Sequence, residues 1–198
     1  MSIYKGITPL VLIPVKKDRR EELLIKDLRG TQKEAERAFT EIYARYAQRT
    51  YAFILRMTND EAASQDLLQE VFIKFYNATK QDLVFTNPSA FILVIAKNLC
   101  LNWKRDLRPL ENLDDVLIAS SDTSTVEQDE LLHLINLSLE LLEFDYRQAF
   151  VLKYYQGCSY DEMALITGET ISALKNKVWR AKEQIKKTLR PYILENQQ

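Results

Sequence analysis

The chain carries only four glycines, five prolines, two cysteines and one histidine in 198 residues. So few Gly and Pro exclude a β-rich fold with many tight turns, because such turns draw on those residues. Two widely spaced thiols, Cys100 and Cys158, exclude a zinc knuckle and a disulfide framework. Each sits beside apolar residues and reads as a packed, reduced Cys. The lone His133 supplies neither a ligand set nor the base of a nucleophilic constellation. No long apolar run occurs. The longest, Ala90 to Ala96, is closed by Lys97, far short of the ~18 residues of a membrane span. The stretch from Ile7 to Ile13 contains Pro9 and has only Lys5 before it, which makes a poor secretory signal. A cytoplasmic protein, not inserted in a membrane, is expected.

What is abundant points to helix: Leu, Glu, Lys, Gln and Ala. With 46% apolar and 28% charged residues, the chain can bury a core and is not of disordered composition. Residues 1–20 read as an extended arm of unassigned role, with Pro9, Pro14 and a charged run from Lys16 to Arg20. Apolar residues at three- and four-residue spacing predict a helix over 21–28, ended by Gly30 as an αL residue ends helices. A long helix follows, from about Ala38 to Met57. Thr58-Asn-Asp-Glu61 reads as a capping box opening the next helix, which runs to about Ala78. Residues 79–88 read as a loop, and Ser89 to about Asp106 as a further helix.

The composition then changes. Residues 109–130 hold seven acids and no Lys or Arg, with a Ser/Thr-rich stretch inside. We read 21–108 as one helical domain, 109–128 as an acidic linker and 129–198 as a second helical domain. The second domain has helices over about 128–142 and 145–156. Ser159-Tyr-Asp-Glu162 is a capping box for a short helix ending at Thr167-Gly168, and Thr170 caps a last helix to about Leu189, before Pro191. The fold class is therefore all-α: two small helical domains, the C-terminal one a helix-turn-helix. Its shared core would be Met163, Ala164, Ile166, Leu174 and Val178.

The net charge of −1 conceals a segregation. Residues 170–190 carry seven cations against Glu183 alone, while 129–169 carry eight acids and two cations. The last helix can present Ser172, Lys175, Asn176, Trp179 and Arg180 to phosphates and base edges. The segment Lys97 to Arg108 interleaves four cations, amides and Trp103, a mixture suited to backbone contact and base stacking on single strands. In the helix from Asp66 to Phe75, Leu67, Leu68, Val71, Phe72 and Phe75 can face a core, with Asp66, Gln69, Glu70 and Lys74 facing out. No His, ligand cluster or Gly-rich loop accompanies the Asp66/Glu70 pair, so a polar outer face or a partner-binding face is a better reading than acid–base catalysis.

Three blocks resemble the sigma factors of bacterial RNA polymerase, specifically the small extracytoplasmic-function group of the sigma-70 family. Ala38 to Tyr46 is similar to the opening helix of region 2. Asp66-Leu-Leu-Gln-Glu-Val-Phe72 is similar to the helix that binds core polymerase. Tyr146 to Leu189 is similar to region 4. The resemblance implies a transcription initiation factor without catalytic site, metal or cofactor. It would bind core polymerase through Asp66, Leu67, Gln69, Glu70 and Phe72, against the clamp helices of the largest subunit, with the flap of the second largest as a further contact. It implies that Asn98, Asn102, Lys104 and Arg105, with loop 79–88, read the melted −10 element, Asn98 near a flipped base. Thr170, Ser172, Lys175, Asn176, Lys177 and Arg180 would enter the −35 major groove. An anti-sigma factor is a further partner of this family. Departures are Glu143-Phe144 where Leu-Pro is frequent, Ala173-Leu-Lys175 for Thr-Val-Lys, and Lys177 for an Arg, a point charge in place of a bidentate fork. The other reading is a stand-alone helix-turn-helix regulator that needs no polymerase.

Overall fold

The computed structural model describes residues 19–80, 87–107 and 134–195. These residues are helical apart from their connections. The helices are α1 (Arg19–Asp27), α2 (Gln32–Thr58), α3 (Glu61–Thr79), α4 (Pro88–Leu107), α5 (residues 134–140), α6 (Phe144–Phe150), α7 (Tyr160–Thr167) and α8 (Ile171–Glu195). A π-helical turn, Val151–Tyr155, continues α6. The arm 1–18, residues 81–86 of the expected −10 loop, the acidic linker and His133 lie outside the described residues.

Capping accounts for most helix boundaries. Thr31 and Glu34 form a reciprocal box that opens α2. Gly30 does not take a left-handed backbone; a Cβ on it would crowd the Glu34 carboxylate at 2.5 Å, so a larger residue would press on the capping box. This corrects the αL expectation for Gly30, because the glycines with positive φ are Gly157 and Gly168. The capping box expected at Thr58–Glu61 is also corrected. Thr58 ends α2, Asn59 takes the left-handed cap (φ 54°), and Asp60 caps α3 by accepting from Ala63 N at 2.9 Å. Thr58 instead hydrogen-bonds Ser64 at 2.9 Å, across the joint between the two helices. Pro88 stands first in α4, where its missing N–H costs nothing, and Asn87 Oδ1 accepts from Ala90 N at 2.9 Å.

Helices α2, α3 and α4 pack on one another around Ile42, Phe53, Ile54, Val71, Phe75, Phe91 and Ile92, all essentially inaccessible. Both cysteines are buried. Burial pushes the Cys100 thiol up to about 12, and burial followed by the Glu162 charge pushes Cys158 up to about 11. Both therefore stay protonated and unreactive at neutral pH.

An acidic linker between two helical domains does not by itself require them to touch. The structure docks them. Helix α7 packs on α4, and one continuous core includes Leu93 and Cys100 with Cys158, Met163 and Ile166. The rim of this seam is polar. Arg49 Nε donates to Gln156 Oε1 at 3.0 Å, its Nη2 donates to Gln156 O, and Gln156 Nε2 donates back to Arg49 O at 3.1 Å. Arg56 stacks 3.9 Å over the Tyr155 ring. Arg147 spans the seam through three carbonyls: Met57 O at 3.4 Å, Glu140 O at 2.6 Å and Leu142 O at 3.3 Å.

Gln156, 2% exposed, is the tightest polar element of that seam. Gln156→Ala deletes two of the three bonds and leaves Arg49 without its side-chain acceptor, a loss on the order of 1–3 kcal/mol in docking. Labels placed at exposed Leu101 and Lys186 should then report a longer, broader distance distribution. An unchanged distribution would mean that Gln156 does not hold the halves together.

Candidate polymerase and nucleic-acid interfaces

The first face lies on α3. Asp66, Gln69 and Glu70 are exposed, with Glu70 paired to Lys74 at 3.1 Å. Leu67 and Phe72, expected in this face, are buried at 9% and 3% exposure. They are corrected to supports: one turn of helix carries both the outward acids and the inward anchors, and only the former can reach a partner. Phe72 stacks edge-on with Tyr43 at 4.7 Å and Phe39 at 6.3 Å, and Phe39 with Tyr76 at 5.2 Å. Ile73, 59% exposed, lies on the same outward side of α3, and Tyr43, 43% exposed, packs on Phe72 from α2. The sequence signal for Ile73 was its position one turn after Gln69, on the outward side.

The second face lies on the C-terminal half of α4. Asn98, Asn102 and Arg105 are exposed on one side. Their neighbours turn toward the seam: Lys104 sits 5.0 Å over the Phe144 ring, and Trp103 packs against the main core. Lys97 is half-buried. Burial lowers its pKa, and the Glu169 charge opposes that shift across the seam. So the structure keeps Asn98, Asn102 and Arg105 together on the exposed face and engages Lys104 with the other half.

The third face is the helix-turn-helix. Ser159 and Glu162 form the expected capping box, with Glu162 N donating to Ser159 Oγ at 3.2 Å. Gly168 takes the αL conformation (φ 78°) at the end of α7, and Ala173 N donates to Thr170 Oγ1 at 3.3 Å. Met163, Ile166, Leu174 and Val178 are buried, and the partly buried Ala164 packs against them, which is the expected core. Helix α8 does not stop before Pro191 but continues through it to Glu195. A proline removes one backbone bond, yet Leu189 is anchored in the small core of Leu139, Leu142, Ala181 and Ile185 just before it.

On the outer side of α8, Ser172, Lys175, Asn176 and Arg180 are exposed, and Thr170 is exposed just before it. Arg180 Nη1 lies 3.4 Å from the Tyr146 hydroxyl. Lys177 departs from the expected set. Its Nζ lies 2.6 Å from Glu169 Oε2 and 3.0 Å from Asp145 Oδ2. Burial works to lower its pKa, but the hydrogen bonds to Glu169 and Asp145 prevail and raise it. Lys177 is thus a clamp that joins the start of α6, the turn and α8, not a free phosphate ligand. No helix among the described residues is long and apolar enough to cross a membrane.

These features define an all-helical protein with a helix-turn-helix and a basic face on its last helix. Comparison with known proteins narrows this. Residues 42–109 match Sigma-70 region 2, and residues 132–185 match Sigma-70, region 4. The RNA polymerase sigma-H factor of Pseudomonas aeruginosa is 27% identical over 181 residues, 83% of this chain and 92% of that protein. The ECF RNA polymerase sigma factor SigM of Bacillus subtilis is 28% identical over 151 residues, 74% of this chain and 91% of that protein. The sigma factor RpoE from Bartonella quintana, solved with the anti-sigma factor NepR, shares the fold (TM-score 0.65, 22% identity, 77% of this chain and 96% of that one). CnrH, solved with the cytosolic domain of CnrY, does so too (TM-score 0.63, 21% identity, 88% and 99%).

The chain belongs to the sigma-70 family of RNA polymerase sigma factors, in the extracytoplasmic-function group. Its regions 2 and 4 make it a promoter-recognition factor that directs RNA polymerase.

Proposed function

We propose that the three faces divide the work of initiation. The acidic face of α3 (Asp66, Gln69 and Glu70, with Ile73 beside them) docks on the clamp helices of the polymerase's largest subunit. Asn98, Asn102 and Arg105 on α4, joined by Lys104 when it leaves Phe144, capture the melted −10 strand. Thr170, Ser172, Lys175, Asn176 and Arg180 at the start of α8 enter the −35 major groove. The flap of the second-largest subunit holds the C-terminal half. Bond-making chemistry stays with the polymerase. An anti-sigma factor would act by holding such faces away from polymerase, a role suggested by the fold relative RpoE, solved with the anti-sigma factor NepR.

The observation that carries this reading is that exposed amides and cations lie on two helices, α4 and α8, and exposed acids on a third, α3. The docked arrangement is then a resting state. Elements named −35 and −10 lie about 25 base pairs apart, roughly 85 Å of B-DNA at 3.4 Å per pair. A compact chain of this length has a radius of gyration of about 16 Å. The halves must part to touch both elements at once.

Lys175 is exposed, with its Nζ 5.7 Å from the Tyr160 ring. Lys175→Ala should weaken promoter binding by the holoenzyme and lower the slope of log affinity against log salt by about one. Wild-type affinity and slope in this variant would show that α8 does not face DNA.

A further inference from the structure

Trp179 is left unexplained by the charge reading of α8. It is 61% exposed, the most exposed large apolar side chain among the described residues of that helix. The buried side of α8 is Leu174, Val178, Ala181 and Ile185. Trp179 stands about 100° round from Val178, one turn beyond Lys175 and Asn176 and beside Arg180, all of them exposed. An indole held out on a face of cations and amides adds nothing to the core and is available to a partner.

We propose that Trp179 is a specificity determinant of the −35 contact, packing its indole on the C5-methyl of a thymine. This contact rests on the DNA-facing reading of α8 and adds base selectivity to it. An indole has one N–H donor and no acceptor, so it cannot make the paired contacts that read guanine or adenine. Its broad apolar face matches the apolar group that major-groove base edges offer, the thymine methyl. Position fits as well. Trp179 lies about 12 Å along the axis from Ile171 at 1.5 Å per residue, comparable to the ~12 Å groove width. A helix entering by its first turn would place Trp179 over an outer base pair, with Lys175 and Arg180 free for phosphates. The charge of this helix, with Glu183 the one acid over 170–190, favours duplex DNA over a basic or apolar protein surface as the occupant.

The test uses the full chain in holoenzyme on a factor-dependent promoter. Each thymine of the −35 element is replaced in turn by deoxyuridine, which removes the methyl and nothing else. Wild type should lose about fourfold in promoter affinity at one or two positions, the worth of one buried methyl. Trp179→Ala should bind the normal promoter more weakly and lose its sensitivity at those same positions. Trp179→Phe should keep it. Lys175→Ala should bind more weakly at every promoter yet stay sensitive. Full deoxyuridine sensitivity in Trp179→Ala, or no sensitive position in wild type, overturns the proposal while leaving α8 on DNA. Loss of core capture by Trp179→Ala overturns it in favour of a protein contact. Unchanged DNA binding in both Lys175→Ala and Trp179→Ala removes the underlying DNA reading as well.

Discussion

Core polymerase captured by the Asp66→Ala, Glu70→Ala double variant should fall by about tenfold to a hundredfold relative to wild type. Both carboxylates are exposed, one turn apart on α3, and the groups beneath them are fixed. Leu67, Val71 and Phe75 are buried in the core, and Phe72 is wedged against Phe39 and Tyr43. The helix therefore presents its acids on a rigid platform, so little ordering entropy opposes a charged contact. Removing them should not unfold the protein. The Glu70–Lys74 pair is an exposed i,i+4 pair, worth only about 0.5 kcal/mol. The loss should appear mainly as slower association and a weaker salt dependence, the mark of removed rim charges. Binding kinetics on immobilised core enzyme, with a melting curve beside it, checks both parts. A stand-alone regulator would show no change, and unaltered capture would remove the α3 assignment.

Leu174→Ala should be the most damaging single truncation in the helix-turn-helix. Leu174 is fully buried among Met163, Ile166 and Val178, where α7 and α8 cross. Shortening it removes transfer energy and leaves a cavity, together about 2–5 kcal/mol. For a chain of this size that corresponds to roughly 5–15 °C in Tm. The recognition helix is set by this contact, by the Gly168 turn and by the Lys177 clamp, so −35 binding should fail along with stability. Lys175→Ala provides the contrast, with weakened DNA binding at an unchanged melting temperature. A Leu174→Ala protein that melts like wild type would mean that α7 and α8 do not depend on each other.

These two cases show which parts of the molecule could be read before the fold was known. The turn at Ser159–Glu162, Gly168 and Thr170 follows short-range rules, since Ser159 and Thr170 each accept from a backbone N–H three residues on and Gly168 N donates to Ala164 O four residues back. The spacing of Met163, Ile166, Leu174 and Val178 likewise announces a shared core. The failures have tertiary causes. Thr58 could cap locally, but Ser64 and the close approach of α2 and α3 claim its hydroxyl. Pro191 should end α8, but burial of Leu189 and Ile185 beside Leu139 and Leu142 anchors the helix through it. Lys177 belongs to a basic run in one dimension and to Asp145 and Glu169 in three. Leu67 and Phe72 share a motif with Asp66 and Glu70, yet they fall on the flanks of that face, where packing against the neighbouring helices buries them. The seam was least legible of all. Arg49 and Gln156 are 107 positions apart, and nothing local marks either as the other's partner.

The central claim is that this chain gives RNA polymerase its promoter. Run-off transcription of a genomic promoter library, by core polymerase with and without the protein, tests it most directly. The account predicts a discrete set of start sites that appear only with the protein and share paired −35 and −10 elements. These start sites should weaken together for the Asp66→Ala, Glu70→Ala variant and for Lys175→Ala. A library with no factor-dependent start, under conditions where the protein binds core, would contradict it.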